Sequence, residues 1–228
     1  MILAFGLVFG LLLQLWNLPE PGDSSFSLAY LAPRVGRAKV KMPESPHSSD
    51  KAWGVIELVP GTVQGISRLF LSDDGKFPNN PDYPLLIFQG LHSGLLEGAA
   101  EHFVENGWTL PWAWGIFEYH HYHSTAWEAL LCTQGSANIQ FGGPAGPRLE
   151  VSKGDLLLVP PGVAHKQLVA RGGFTLLGAY PAVDSAPVDV LRGGPSAEER
   201  ANICRAVLPT TDPVFGSSMP WELSQLLR

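Results

Sequence analysis

The stretch YHHYHSTAWE, residues 119–128, contains three of the seven histidines of this chain and ends in a glutamate. Side chains two positions apart on a β-strand point to the same face, so His121 and His123 project together and His120 falls on the opposite face. Glu128 follows five positions after His123, a spacing that fits a bend or bulge before the next strand begins. The stretch therefore predicts that His121, His123 and Glu128 meet, and that His120 is not their partner.

A fourth candidate, His165, follows the turn-forming run Pro160-Pro161-Gly162, which ends a predicted strand over residues 155–159 that is apolar after Asp155. Imidazole and carboxylate ligands together suit Fe(II), Mn(II), Ni(II), Cu(II) or Zn(II), and a set of three histidines and one carboxylate leaves positions open on an octahedral ion. The sequence therefore predicts one divalent metal ion with room for a substrate beside it. Its predicted ligands are His121, His123, Glu128 and His165.

The order of these residues forms two spaced patterns. They are Gly115-x5-His121-x-His123-x4-Glu128-x6-Gly135 and Gly154-x5-Pro160-x-Gly162-x2-His165. Together they resemble the two motifs of the cupin superfamily, although Val169 stands where the second motif ends in Asn. The resemblance implies an all-β chain with the cupin-like double-stranded β-helix, a β-sandwich barrel with a few peripheral helices. It also implies that the same three histidines and Glu128 are the metal ligands.

Three further segments resemble the YjlB-like branch of the cupins. They are the runs DDGKFPNNP at 73–81, NGW at 106–108 and HYHSTA at 121–126. Similar cupin-domain proteins of fungal polyketide gene clusters are regarded as oxidoreductases that act on salicylaldehyde-type intermediates. The resemblance therefore implies a metal-dependent oxidoreductase that acts on a small organic molecule, such as a polyketide or an aromatic aldehyde of secondary metabolism. It also implies a homodimer.

The ligand set leaves the reaction open. A divalent ion with three neutral histidines and one carboxylate carries a local charge of about +1, which favours an anionic oxygen ligand such as a phenolate. With Fe(II), favoured here over Mn, Zn or Ni, oxidation by O₂ is expected; a redox-neutral isomerase or epimerase and a non-catalytic ligand-binding or metal-binding cupin are the alternatives. Tyr119 and Gln167 are candidate pocket residues, and no general base is assigned.

Composition narrows the possible partners. The net charge is −6, and no basic stripe with interleaved aromatic residues is present, so a nucleic-acid partner is not expected. Cys132 and Cys204 do not form a C-x-x-C pair, which argues against a disulfide framework or a zinc knuckle. We expect Cys132 to pack as a small apolar side chain.

We predict three regions. Residues 1–52 form an apolar N-terminus and a flexible extension, 53–192 the barrel with its flanking strands and one inserted helix, and 193–228 a helical tail packed on the barrel. The apolar run at 2–16 resembles a signal-peptide core, but no Lys or Arg precedes it and it is shorter than the ~20 residues that span a bilayer. We therefore expect no stable membrane span and favour a cytoplasmic location over secretion.

Two helices are predicted from local patterns. Apolar residues recur at helical spacing over 91–106, and Gly107 is a good residue to end that helix. In the tail, Ser196 and Glu199 form a capping-box pattern that opens a helix through about Val207.

Overall fold

The computed structural model describes residues 54–55, 63–182 and 188–216. The predicted extension over 1–52, with its signal-like run, and the end of the tail at 217–228 lie outside the described residues. Strands dominate the described chain, and three short helices accompany them. The elements are β1 Gly54–Val55, β2 Gly65–Leu69, β3 Leu85–Gln89, α1 Ser93–Leu96, α2 Ala99–Glu105, β4 Trp108–Trp114, β5 Glu128–Phe141, β6 Arg148–Ser152, β7 Leu156–Val159, β8 His165–Pro181 and α3 Ala197–Arg205.

The strands form one antiparallel sheet in the order β1-β2-β3-β7-β5-β8-β4, and β6 pairs with β5 outside this path. The two longest strands, β5 and β8, lie side by side, and their pairing shifts register at three points. Such irregularities bend a strand and increase its twist, which lets the sheet curl. The fold is therefore all-β, a cupin-like β-sandwich with a few peripheral helices, as predicted.

Both faces of the central strands are buried, which explains their continuous apolar runs. On β3, Leu85 and Ile87 pack into one hydrophobic cluster and Leu86 and Phe88 into another. The first of these clusters also contains residues of β5 and β7, together with Ile116 and Val163, which lie close in sequence to the candidate ligands. The second is covered by α2 and by residues near the end of the described chain. The first cluster therefore lies on the same face of the sheet as the candidate site.

The helix predicted over 91–106 is interrupted. The chain forms α1 and α2 instead, and Gly98 between them has a φ of +76°. This left-handed conformation suits glycine and ends helical continuity. Gly107 closes α2 with a φ of +76° and donates its N–H to the carbonyl of Val104, which confirms it as the terminating glycine.

Two other local predictions are confirmed. The side chain of Ser196 accepts from the backbone N–H of Glu199, whose carboxylate accepts from the N–H of Ser196, and α3 begins with this capping box. Cys132 is fully buried within the hydrophobic cluster that faces the site. None of the helices among the described residues has the length and apolar character needed to cross a membrane.

Candidate metal centre

The four predicted ligands come from three places in the fold. His121 and His123 lie in the extended segment between β4 and β5, Glu128 begins β5 and His165 begins β8. The backbones of His121 and His165 exchange two hydrogen bonds, of 3.1 and 2.9 Å, which fixes the two segments side by side. All four side chains are between 1% and 4% exposed. The predicted alternation also holds, because the ring of His120 contacts Phe77 on the other side of the segment.

Each of the three histidine rings is tied to a backbone carbonyl through its Nδ1 atom. For His121 the partner is the carbonyl of Tyr119 at 3.4 Å, and for His165 it is the carbonyl of Val163 at 3.1 Å. The Nδ1 of His123 contacts the carbonyl of Asp189. A carbonyl can only accept, so Nδ1 carries the hydrogen and, in the neutral ring, Nε2 keeps its lone pair. This is the arrangement found around metal-binding histidines, in which the remote nitrogen is anchored.

The free nitrogens converge on one point. One ring nitrogen from each of His121, His123 and His165 lies within 4.8 Å of the other two. The carboxylate of Glu128 is next to them, with its Oε1 3.5 Å from Nε2 of His123 and its Oε2 3.2 Å from Nε2 of His165. Nε2 of His123 and Oε2 of Glu128 are buried and have no hydrogen-bond partner. Buried polar atoms without a partner are costly, and a shared cation would satisfy both.

The protonation of these groups reflects the same geometry. Burial, with His165 and His123 close by, lowers the pKa of His121 to about 2, so this ring is neutral. Burial alone would lower the pKa of His123, but the adjacent Glu128 carboxylate raises it above its usual value. Burial would raise the pKa of Glu128, yet His123 and His165 hold it well below its usual range. An ionised carboxylate facing imidazole nitrogens is a donor set that fits a divalent metal ion.

Tyr180 was missed by the sequence analysis. Its hydroxyl donates to Oε1 of Glu128 at 2.9 Å, and its ring packs edge-on against the ring of His123. Burial and the Glu128 carboxylate raise the pKa of Tyr180 above its ordinary value, so the phenol keeps its proton. Its position follows from the pairing of two strands. β5 and β8 pair Ala129 with Ala179, which brings Tyr180 opposite Glu128, so only knowledge of this register would have identified it.

Asp189 was also missed. It lies near the start of the described range 188–216, and its carboxylate accepts from the backbone N–H of Ser124 at 2.7 Å and from the Ser124 hydroxyl at 2.5 Å. Close to this contact, Tyr122 and Leu191 exchange two backbone hydrogen bonds. These contacts hold the chain beside the His121–His123 segment. No sequence pattern signals this role, because the group that contacts His123 is a backbone carbonyl.

The metal centre opens into a cavity of about 410 Å³. Its walls are mainly apolar and aromatic, and no Lys or Arg is among the described residues that line it. Three of the lining side chains, Trp114, Phe117 and Val190, are exposed. Besides the predicted ligands, the cavity is lined by Trp112, Ala113, Trp114, Gly115, Ile116, Phe117, Leu130, Tyr180 and Val190.

The two candidate pocket residues lie next to residues that line this cavity but do not line it themselves. The ring of Tyr119 stacks on Phe117 at 4.8 Å between centroids, and Arg192 lies over its face at 3.8 Å. The carboxamide oxygen of Gln167 accepts from the backbone N–H of Ile116 at 3.4 Å. A role for Tyr119 or Gln167 in contacting substrate therefore stays a prediction.

The run at 73–81 contacts the segment that carries His165. The Asn79 side chain is fully buried, donates to the carbonyls of Ser72 and Gly142, and accepts from the N–H of Ala164. Ala164 directly precedes His165, so this amide fixes the start of the strand that carries a predicted ligand.

Comparison with known proteins identifies one clear relative. No family model matches the chain. The uncharacterized protein YjlB of Bacillus subtilis (strain 168) is 40% identical over 154 residues, which are 66% of this chain and 91% of that protein.

Solved structures show only distant likeness. The plu4264 protein from Photorhabdus luminescens has a TM-score of 0.25 at 15% identity and covers 65% of this chain and 92% of its own. The capsular polysaccharide assembling protein CapF from Staphylococcus aureus has a TM-score of 0.25 at 14% identity, covering 62% and 32%. Streptomyces albus HEPD, with 2-hydroxyethylphosphonate and Fe(II) bound, has a TM-score of 0.20 at 14% identity, covering 64% and 25%. These TM-scores are too low to bear on function.

Proposed function

Because the chain belongs to the family of Bacillus subtilis YjlB and has a cupin-like fold, we propose that it is a metal-dependent oxidoreductase acting on a small organic substrate. The proposed ligands are His121, His123, Glu128 and His165. The observation that carries the proposal is the convergence of three anchored imidazoles on one buried point beside an unpartnered carboxylate oxygen. This arrangement is expensive to bury unless a cation completes it.

We propose one divalent ion at this point, with Fe(II) favoured over Mn, Zn or Ni. A mixed set of imidazole and carboxylate ligands suits all four ions, and the preference for iron rests on the cupin resemblance. When bound, such an ion supplies either O₂ activation or Lewis-acid stabilisation of an anionic oxygen. The chain itself supplies the anchored rings, the ionised Glu128 and the mainly apolar walls of the cavity.

The lining of the cavity favours a mainly apolar substrate about the size of an aromatic ring, with one polar end. Apolar and aromatic walls form most of the cavity, and its polar groups are the predicted ligands and Tyr180. Without a Lys or Arg among the described lining residues, a phosphate or a second carboxylate has no cationic partner there. A phenol or aromatic aldehyde fits this chemistry. A polyketide-derived salicylaldehyde is the narrower proposal, and it rests on the sequence resemblance.

The test is metal content and oxygen dependence. The protein is purified without oxygen or added metal, alongside a His121→Ala/His165→Ala double variant. His102→Ala is the control, because His102 lies in α2 and pairs with Glu105 at 3.7 Å. We expect about one equivalent of iron in the parent and the control, little in the double variant, and O₂ uptake with phenolic or aldehyde substrates.

Other outcomes would redirect or reject the proposal. Bound zinc, nickel or manganese with substrate rearrangement in the absence of O₂ would favour the isomerase or epimerase alternative. Saturable binding of an unchanged ligand would favour a non-catalytic cupin. A folded parent protein that contains no metal and takes up none would reject the metal function.

A further inference from the structure

The Tyr180 hydroxyl treats the two oxygens of Glu128 differently. It donates to Oε1 at 2.9 Å, whereas Oε2 has no hydrogen-bond partner and lies 3.2 Å from Nε2 of His165. One of the two lone pairs of Oε1, which also lies 3.5 Å from Nε2 of His123, is therefore taken by the Tyr180 hydroxyl, whereas Oε2 accepts no hydrogen bond.

The Tyr180 side chain is held in place by its surroundings. Its ring packs edge-on against His123, with the centroids 5.6 Å apart at 80°. On β4, the hydroxyl of Thr109 donates to the Tyr180 carbonyl at 3.0 Å. Two positions earlier on β8, Gly178 leaves the space filled by the Trp112 ring, since a Cβ there would lie 2.2 Å from that ring. The phenol is thus packed against a predicted ligand, and the backbone that carries it is hydrogen-bonded to β4.

We propose that Tyr180 is a positioning residue that restricts Glu128 to coordination through Oε2 alone. Coordination by one oxygen leaves one more position open on the ion than coordination by two. The Tyr180 hydroxyl therefore preserves a place for an exogenous ligand. This inference rests on the proposed metal function.

Tyr180→Phe tests the proposal, because it removes the hydroxyl and keeps the ring that packs against His123. Tyr83→Phe is the matched control: it also removes one phenol hydroxyl and keeps a ring that packs on an aromatic side chain, that of Trp127 at 5.3 Å between centroids, but Tyr83 packs against the hydrophobic cluster on the face away from the site. The metal-free forms of the parent and both variants are checked for folding by circular dichroism. Each is then titrated with Co(II), whose visible absorption reports coordination number, and the Kd is measured by chelator competition.

We expect Tyr180→Phe to bind Co(II) about 10-fold more weakly than the parent, as is typical when a partner of a ligand is lost. Its absorption should weaken as the freed Oε1 joins the coordination, and azide should bind the loaded variant more weakly than the loaded parent. Tyr83→Phe should match the parent in all three measurements.

Two results would overturn the inference in distinguishable ways. If folded Tyr180→Phe matches the parent in Co(II) Kd, spectrum and azide affinity, Tyr180 does not position Glu128, while the proposed metal function stands. If the parent itself binds no Co(II), the metal function fails, and the inference fails with it.

Discussion

The backbone carbonyl of Asp189 contacts Nδ1 of His123, although 66 residues separate the two positions. The Asp189 side chain fixes that carbonyl through its hydrogen bonds to the N–H and hydroxyl of Ser124. Ser124, the residue after His123, therefore holds Asp189 in the position from which its carbonyl orients the His123 ring. This closed arrangement sets both the tautomer and the direction of the ring.

Replacing Asp189 should weaken metal binding without removing a ligand. Asp189→Ala removes both acceptors for Ser124 and releases the carbonyl that anchors His123. We expect the metal Kd to rise by about 10-fold or more. Asp189→Asn is the graded control, because its oxygen can still accept from the Ser124 N–H while its amide faces the hydroxyl, and a smaller loss is expected. Chelator competition measures both, and equal affinities in the parent and Asp189→Ala would contradict this role.

Gly162 should be intolerant of any side chain. It has a φ of +90°, a Cβ would lie 2.4 Å from the carbonyl oxygen of Asn79, and its N–H donates to the carbonyl of His123. Gly162→Ala combines an unfavourable conformation with a backbone clash, so we expect a loss of at least about 2 kcal/mol in the free energy of unfolding.

The control for this prediction is Gly194→Ala. Gly194 has a φ of +68° but nothing within 4 Å of its added Cβ. Only the conformational cost applies, about 1 kcal/mol. Urea unfolding of both variants measures the difference, and equal losses would show that the contact with Asn79 does not matter.

Asn79→Asp should destabilise the protein far more than Asn80→Asp. The first change removes the amide hydrogens that satisfy the carbonyls of Ser72 and Gly142, and it buries a charge. We expect a cost above about 3 kcal/mol. Asn80→Asp adds the same charge but removes only the hydrogen bond to the Pro161 carbonyl, and it keeps the oxygen that accepts two backbone N–H groups. Similar unfolding midpoints for the two variants would contradict the prediction.

Asp212 should make stability depend on pH. Burial raises the pKa of this carboxyl from 3.8 to about 6, despite the N–H groups of Val214 and Phe215 that donate to it. The folded protein therefore holds the proton more tightly than the unfolded chain. The resulting stabilisation is complete below pH 3.8 and is lost as the pH rises to about 6. The difference across this range is roughly 3 kcal/mol.

Asp212→Asn should remove that dependence, because it keeps an oxygen for the two N–H groups and cannot ionise. Relative to the parent, the metal-free variant should gain stability as the pH rises from about 4 to 7. The exposed Asp82→Asn serves as a control for the lost charge. Urea unfolding at several pH values measures the effect. A stability difference between Asp212→Asn and the parent that stays constant across this range would contradict the assignment.

The sequence alone predicted the features that depend on local order. The alternation around His121 and His123 separates the ligand side from the His120 side, and the spacing to Glu128 and His165 predicts their meeting. The capping box at Ser196 predicts where α3 begins. For the alternation and the capping box the physical cause lies within a few neighbouring residues, so these features can be predicted from a short stretch of sequence.

The tertiary structure alone revealed the groups that orient these ligands. Tyr180 faces Glu128 because β5 and β8 pair in one particular register, and a shift of one residue would have turned the phenol to the other face. Asp189 anchors His123 through a backbone carbonyl, a group that every residue carries. The identity of such a partner depends on which distant segments come together. That is decided by the packing and pairing of the whole sheet, which no short stretch of sequence encodes.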